Sequence, residues 1–179
     1  KNNMYQQRNR KPEDQNRNME SDFFERVVQV NRVSKKTKGG DKRSLSVLVV
    51  VGDKKGKVGV GLGKAADVQS AVRKATSYAK KHMIDVPLKG RTIPHEILIK
   101  SGAAKVLLKP APIGTGVIAG GAVRVVVEAA GIHDIVSKSL GTTNKASNVY
   151  ATLKALSQLK TVINIANEKK EDKKEEKAK

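Results

Sequence analysis

Glycines next to a lysine are the first residues in this chain whose types and spacing suggest chemistry. Gly59, Gly63 and Lys64 resemble part of a phosphate-binding loop, in which backbone N–H groups and a lysine hold a nucleoside triphosphate. The spacing between these glycines is too short for such a loop, and Ala65 stands where a Ser or Thr would hold magnesium. ATP binding at this point is therefore disfavoured.

A second cluster consists of four glycines, which are Gly114, Gly116, Gly120 and Gly121. Together with Asp134 they resemble a dinucleotide-binding fingerprint. Their spacing does not fit that motif, and Pro110 and Pro112 interrupt the strand that should lead into it. Glycines at a helix start can still bind a backbone phosphate through their N–H groups, or they can permit close helix packing. The sequence leaves both alternatives open.

The other groups with catalytic or metal-binding chemistry are scattered. The histidines His82, His95 and His133 lack ligand-like spacing, and the acidic residues form no recognisable pair. The chain has no cysteine, which excludes disulfides and cysteine-ligated zinc and fits a reducing cytoplasm. We therefore predict a protein that is not an enzyme and that uses no metal, cofactor or small-molecule substrate.

The charge balance indicates a polyanionic partner. The chain has 36 Lys and Arg against 17 Asp and Glu, a formal net charge of +19, and most of the excess lies between the two ends. Nucleic acid is the first candidate. An anionic membrane is disfavoured, because we find neither a long apolar run nor a signal-peptide pattern. With two Phe, three Tyr and no Trp, recognition should use phosphates, sugar hydroxyls and RNA shape rather than base stacking.

The candidate RNA-binding residues fall into two groups. Residues 31–44 are predicted to form a basic loop between two strands, with cations and bend glycines at Arg32, Lys35, Lys36, Lys38, Gly39, Gly40, Lys42 and Arg43. A second group follows in a predicted turn and at the end of the next strand, at Lys54, Lys55, Lys57 and Lys64. A solvated surface is the simpler explanation of lysine runs, and the total charge favours RNA contact.

The elements that position these groups are predicted from hydrophobic periodicity. A short helix should begin near Glu20 and pass into a strand by about Val28, and Val47–Val51 and Val58–Leu62 should form a β-hairpin. A helix should follow from Ala65 and end near residues 82–85. Its apolar stripe is Val68, Ala71, Val72, Ala75 and Ala79, and its opposite side carries Arg73, Lys74, Lys80 and Lys81.

The second half of the chain predicts further strands and helices. Thr92–Lys100 and Lys105–Lys109 read as strands, residues 114–131 contain a helix that stops at Gly131, and Ile132–Leu140 reads as another strand. Asn144–Ile163 is a last helix with Val149, Leu153, Leu156, Leu159 and Ile163 facing inward.

These elements predict an α+β protein with two domains. Residues 1–19 are a disordered basic and polar N-terminal segment, residues 20–85 an RNA-binding domain, residues 86–165 a second domain and residues 166–179 a charged disordered tail. The α-β-β-β-α order of the first domain is the order of a double-stranded-RNA-binding domain.

Four strings, in this order and spacing, resemble the bacterial type of small-subunit ribosomal protein S5. They are NRVSKKTKGG, VVVGDKKGKVGVGLGKA, PAPIGTGVIAGGAVRVVVEAAG and DIVSKSLGTTN, and the resemblance covers roughly Phe23–Ile163. It implies a C-terminal β-α-β-α domain after the double-stranded-RNA-binding-domain-like unit. It also implies a structural component of the small (30S) subunit in the cytoplasm, which contacts 16S rRNA and ribosomal proteins S4 and S8. With ribosomal proteins S3 and S4, such a protein lines the mRNA entry channel and supports translational accuracy.

The resemblance also implies roles for particular residues. The segment with Ser34, Lys35 and Gly40 matches the family loop that reaches toward the head of the subunit, near the spectinomycin site. Arg32 matches an arginine near the entering message. The interface with ribosomal protein S4 is implied at Gly114, Gly116, Gly120, Gly121 and Arg124.

Two positions depart from the family pattern, and two other functions remain to be weighed. Lys145 stands where proline is common, and Tyr150 stands where a basic residue is common, which weakens any RNA contact inferred for the last helix. A free regulator that binds double-stranded RNA would share the charge pattern but would not need the segment at residues 114–131. A nucleotide-using enzyme is disfavoured by the glycine spacing and the missing acids.

Overall fold

The computed structural model describes residues 23–160, so the segments predicted to be disordered, residues 1–19 and 166–179, lie outside the described residues. Within them the chain forms two four-stranded sheets and three helices. The predicted α+β class is confirmed. No helix among the described residues is long and apolar enough to span a membrane.

The first sheet is antiparallel and follows chain order. Its strands are β1 (Phe24–Thr37), β2 (Gly40–Gly52), β3 (Lys57–Ala65) and β4 (Met83–Asp85). The predicted hairpin corresponds to β2 and β3, with Val50 opposite Val60. The three-residue strand β4 was not predicted, because it is too short to show a period.

Helix α1 (Val68–Lys81) packs on this sheet through alternate glycines of β3. A Cβ atom added to any of these glycines would collide with a carbonyl oxygen of the helix; the pairs are Gly59 with Ala79, Gly61 with Ala75, and Gly63 with Ala71. The face of β3 that carries these glycines is therefore covered by the chain's own helix, since only glycine allows backbones to approach so closely.

The start of the first sheet differs from the prediction in two ways. The predicted helix would begin at residues 20–22, which lie outside the described residues, and from Phe24 onward the chain is a strand. Residues 31–44, predicted as a loop, continue β1 and β2 as a two-stranded ribbon. Hydrogen bonds across a hairpin do not need apolar side chains, so the polar sequence of this segment concealed the pairing.

The second half forms a mixed sheet covered by two helices. In chain order the elements are β5 (Ile97–Ser101), β6 (Ala104–Pro110), β7 (Val117–Ile118), α2 (Gly121–Ala130), β8 (Ile135–Ser139) and α3 (Lys145–Ser157). The sheet order is β5-β6-β8-β7, and only the β7–β8 pair is parallel.

The predicted helices of this half exist with shifted ends. Helix α2 starts at Gly121, because Gly114 and Gly116 have positive φ values of 95° and 74° and β7 intervenes. It stops at Gly131 as predicted, with φ at 85°. Asn144 caps α3 by accepting a hydrogen bond from the Ala146 N–H at 3.0 Å. Ile163 lies outside the described residues.

Strand β2 is buried on both faces, which explains its unbroken apolar run at residues 47–51. Val47, Val49 and Val51 pack against α1. Leu48 and Val50 face the other way, into a core that includes residues of α2, α3 and the second sheet. The first sheet is therefore a layer between α1 and the second half of the chain.

The turn between β2 and β3 joins the two halves through backbone hydrogen bonds. Lys54 N donates to Ala129 O at 3.1 Å, and Gly56 N donates to Ala130 O at 3.0 Å. These carbonyls at the end of α2 have no partner inside the helix, so the turn of the first sheet supplies the missing donors.

Candidate nucleic-acid interface

The basic segment forms a projecting hairpin, here called the arm, which consists of residues 33–44. Strand β3 ends at Ala65, opposite Leu45, so the ribbon beyond that point has only two strands. It extends from Val33 to Thr37, about 15 Å at the usual rise per residue. At its tip Gly40 has φ at 121°, and the Thr37 hydroxyl donates to Gly40 O at 2.7 Å.

The charged side chains of the arm are exposed. Lys35 lies directly opposite Lys42, whereas Lys36 lies opposite Asp41. Like charges directly opposite each other destabilise a strand pair, so the Lys35–Lys42 pair costs stability in the free protein. A polyanion bound to the arm would remove that cost.

Three predicted residues meet at the base of the arm. Arg32, Ser34 and Arg43 lie on one face of the ribbon and line an open pocket of about 480 Å³ together with Ala66. Lys64 lies close by on β3, where it pairs with Ser46. The structure therefore brings Lys64 to the arm rather than to the lysines that precede it in sequence.

Lys54, Lys55 and Lys57 belong to the turn between β2 and β3. The turn is built on Asp53, whose Oδ1 accepts hydrogen bonds from Lys55 N at 2.7 Å and Lys57 N at 2.9 Å. Lys54 has a positive φ of 57°, and its Nζ lies 4.7 Å from the centre of the Phe24 ring. Since its backbone joins the two halves, Lys54 has a structural role besides its charge.

The arm and this turn lie at opposite ends of β2, about 40 Å apart for a strand of 13 residues. The predicted RNA-binding residues therefore form two separate surfaces. The arm with its base contains Arg32, Ser34, Lys35, Lys36, Lys38, Gly39, Gly40, Lys42, Arg43 and Lys64, and the turn contains Lys54, Lys55 and Lys57.

Helix α1 adds to the turn a cation, Lys80, that is not among the RNA-binding residues predicted from the sequence. Lys80 lies with Lys55 and Lys57 around a pocket of about 660 Å³, next to Phe23. Lys80 Nζ also forms an ion pair with Glu25 at 3.1 Å. Its place on the cationic side of the predicted helix was the signal in the sequence, but the fold was needed to bring it to the turn.

The loop at residues 112–120, here called the glycine loop, is organised by Asp134. This carboxylate is 1% exposed, and its Oδ1 accepts hydrogen bonds from Gly114 N at 3.1 Å and Gly116 N at 2.9 Å. Its Oδ2 lies 3.4 Å from Arg91 Nε, an ion-pair distance. The two glycine N–H groups point inward to Asp134, which argues against a dinucleotide site.

Arg124 lies on the first turns of α2, next to the glycine loop. Its Nε donates to Glu128 Oε1 at 2.7 Å, while Arg26 of β1 donates to Glu128 Oε2 at 2.8 Å. Two arginines share one half-buried carboxylate. The cluster therefore keeps a net positive charge on the surface beside Gly120 and Gly121.

Two family models match the chain, ribosomal protein S5, N-terminal domain, at residues 23–87 and ribosomal protein S5, C-terminal domain, at residues 99–169. The chain belongs to the ribosomal protein S5 family. The small ribosomal subunit protein uS5 of Acaryochloris marina is 49% identical over 162 residues, 90% of this chain and 92% of that protein. The uS5 protein of Thermosynechococcus vestitus is 52% identical over 84% of this chain and 87% of its own length. The uS5 protein of Chloroflexus aurantiacus is 55% identical over 80% of this chain and 80% of its own length.

Membership of the S5 family confirms that the protein is structural rather than enzymatic. The histidines agree with this. His82 stacks on Tyr78 with ring centres 4.2 Å apart, and both ring nitrogens of His95 bond to backbone groups, at Glu96 O and Lys160 N. Within residues 23–160 no group of His, Asp and Glu could hold a metal ion.

The two positions expected to depart from the family pattern lie on α3. Lys145 is its first residue, and Tyr150 is a half-exposed residue one turn further along. Burial raises the pKa of the Tyr150 phenol above its usual value, with a further contribution from Tyr78. A phenol is neutral or anionic and never cationic, so Tyr150 offers no positive charge to a phosphate.

Proposed function

We propose that this chain is a structural constituent of the small ribosomal subunit and binds 16S rRNA through the arm. Both S5 family models and relatives named small ribosomal subunit protein uS5 support the ribosomal role. The protein is a ribosomal protein and lies in the ribosome, which is cytoplasmic in bacteria.

The exposed arm carries the proposal of RNA binding. It presents lysines and arginines on a narrow ribbon that makes no contribution to the core, and it includes Lys35 directly opposite Lys42. Cations in this arrangement neutralise phosphates and release counterions from RNA. The turn at Lys55, Lys57 and Lys80 is the second contact surface of the proposal.

The glycine loop and Arg124 are the proposed interface with ribosomal protein S4. Asp134 fixes Gly114 and Gly116, and the exposed guanidinium of Arg124 suits a partner carboxylate. The proposal also includes ribosomal proteins S8 and S3, the mRNA entry channel and a role in translational accuracy, which follow from the family resemblance. Arg32, at the base of the arm, is the residue proposed to lie near the entering message.

A free regulator that binds double-stranded RNA is the alternative function, because it would use the same cations. Sedimentation of a native lysate at high salt separates the two. Comigration with small subunits at roughly stoichiometric amounts supports the ribosomal role, and a peak near the monomer mass without RNA supports the regulator.

The arm is tested by replacing Lys35, Lys36 and Lys38 with Ala in the full chain. Binding to 16S rRNA should weaken, and the slope of log affinity against log salt should fall by about 3, since each phosphate that a lysine no longer neutralises lowers the slope by about 1. Filter binding at several salt concentrations measures both quantities.

A matched control replaces three exposed lysines elsewhere, Lys89, Lys145 and Lys154, and removes the same charge. Its salt slope should change much less than that of the arm variant. Equal slopes for the arm variant and the unmodified protein would remove the arm from the RNA contacts.

A further inference from the structure

The outer face of the second sheet carries a patch that the proposed function does not use. Helix α3 covers the inner face, where Ile97, Ile99, Val106 and Leu108 join the core. The alternate residues of the strands point outward. Five of them, together with Leu140 directly after β8, are here called the cationic sheet face: Leu98, Lys100, Lys105, Leu107, Lys138 and Leu140.

Strand register places these six residues in two adjacent rows. Leu98 pairs with Leu107, which pairs with Lys138. In the next row Lys100 pairs with Lys105, and Leu140 N donates to Lys105 O at 2.7 Å. Directly opposite Cβ atoms lie about 5 Å apart, so the six side chains form one continuous surface.

The patch combines exposed apolar side chains with uncompensated charge. Leu98 and Leu140 are 50% and 52% exposed. Lys100 and Lys105 are directly opposite each other, which disfavours the free sheet. Among the described residues the nearest acid on this face is Glu96, one row away, and it is paired with Lys109 at 3.1 Å.

We propose that the cationic sheet face docks a protein whose own surface has an apolar stripe bordered by carboxylates. The leucines would be covered by the stripe, and the carboxylates would pair with Lys100, Lys105 and Lys138. Apolar groups at the centre with charges around them are the usual anatomy of a protein interface, and complementary charge gives it specificity.

The same features disfavour other occupants. RNA would leave the leucines unused, since the face offers phosphates only lysines and has no aromatic side chain for a base. A second copy of this chain would bring lysines against lysines. The face is separate from the glycine loop, because the row with Glu96, Lys109 and Val136 lies between them.

The inference rests on the proposed place of the chain in the small subunit, and the experiment uses that assembly. The full chain with Leu98→p-benzoylphenylalanine is expressed, small subunits are purified, and the photo-cross-linked peptides are identified by mass spectrometry. Absence of the chain from the subunits would contradict the proposed function, whereas its presence allows the docking face to be tested separately.

The expected product is an adduct with an acidic, apolar segment of another ribosomal protein. Adding Lys100→Glu and Lys105→Glu should lower its yield by about tenfold, because like charges then face each other across the interface. The control Lys89→Glu and Lys154→Glu should leave the yield unchanged. An adduct with rRNA, with a second copy or with residues 161–179 of the chain itself, no adduct, or a yield insensitive to the charge reversal would overturn the proposal.

Discussion

At the scale of single residues, Asp134 organises the glycine loop of the proposed protein interface. Its buried Oδ1 accepts hydrogen bonds from two N–H groups of the glycine loop, those of Gly114 and Gly116. The N–H group of the next residue, Ile135, donates to Gly116 O at 3.1 Å. A carboxylate that accepts backbone N–H groups forms strong charge-assisted bonds. These bonds hold the loop in the conformation in which Gly114 and Gly116 have positive φ values.

Replacing Asp134 with Ala should release the glycine loop. Each hydrogen bond to a charged group contributes about 1.5–3 kcal/mol to stability, and water that hydrates the released N–H groups offsets part of this contribution. We therefore expect the free energy of unfolding to fall by about 2 kcal/mol. Amide exchange at Gly114 and Gly116 should become faster. Urea unfolding and exchange measured by NMR test the two effects.

The control for this variant is Asp134→Asn, which keeps an oxygen acceptor in the same place but loses the attraction to Arg91. Its exchange rates should lie closer to those of the unmodified protein. Unchanged exchange at both glycines in the Ala variant would show that Asp134 does not hold the loop.

The sequence grouped these residues for a different reason from the one that the structure shows. The glycines and Asp134 were recognised together, as a loose dinucleotide motif. Their actual relation is a direct contact between N–H groups and the carboxylate, which depends on the positive φ values and on β7 pairing with β8. Neither feature has a period or a spacing rule that the sequence could reveal.

At the scale of elements, the arm combines paired strands with like charges, Lys35 and Lys42, that repel each other across the pair. The predicted β2–β3 hairpin and α1 were confirmed, because the apolar period changes from that of a strand to that of a helix near Ala65. The arm has no such period. Its strands persist because they continue β1 and β2 out of a well-packed sheet, so core residues such as Val49 set the register for polar residues beyond them.

Replacing Lys42 with Glu should strengthen the arm and weaken its binding to RNA. An opposite charge facing Lys35 adds about 0.5 kcal/mol to the pair, so arm amides should exchange more slowly. The salt slope of RNA binding should fall by about 1 or more. Amide exchange and salt-dependent filter binding on the same preparation measure the two effects.

Lys42→Gln is the matched control, because it removes the repulsion without adding an attraction. Its arm should be intermediate in exchange rate. If the Glu variant bound RNA as tightly as the unmodified protein, Lys42 would not contact phosphate.

At the scale of the whole molecule, the two halves share one core. Leu48 and Val50 of β2 lie in the same cluster as Val126 of α2 and Leu156 of α3. The run of five apolar residues in β2 was predicted as one strand of a hairpin, and its burial on both faces became evident only from the structure. What covers the second face could not be predicted, because that face meets residues more than 70 positions further along the chain.

The shared core predicts that both sheets unfold together. In native-state hydrogen exchange at increasing urea, the slowest amides of β2 and β6 should converge on the same free energy of opening.

The variant Gly131→Ala should lower the free energy of opening of both strands by the same amount, about 2 kcal/mol or more. Gly131 has φ at 85°, and a Cβ atom there would collide with Lys54 O. Gly102→Ala, where φ is 58° and space is open, is the control for backbone strain alone and should cost about 1 kcal/mol. If β6 opened at a lower free energy than β2, or if Gly131→Ala affected only the second sheet, the backbone bonds of Lys54 and Gly56 to α2 would be a contact between independently folding domains.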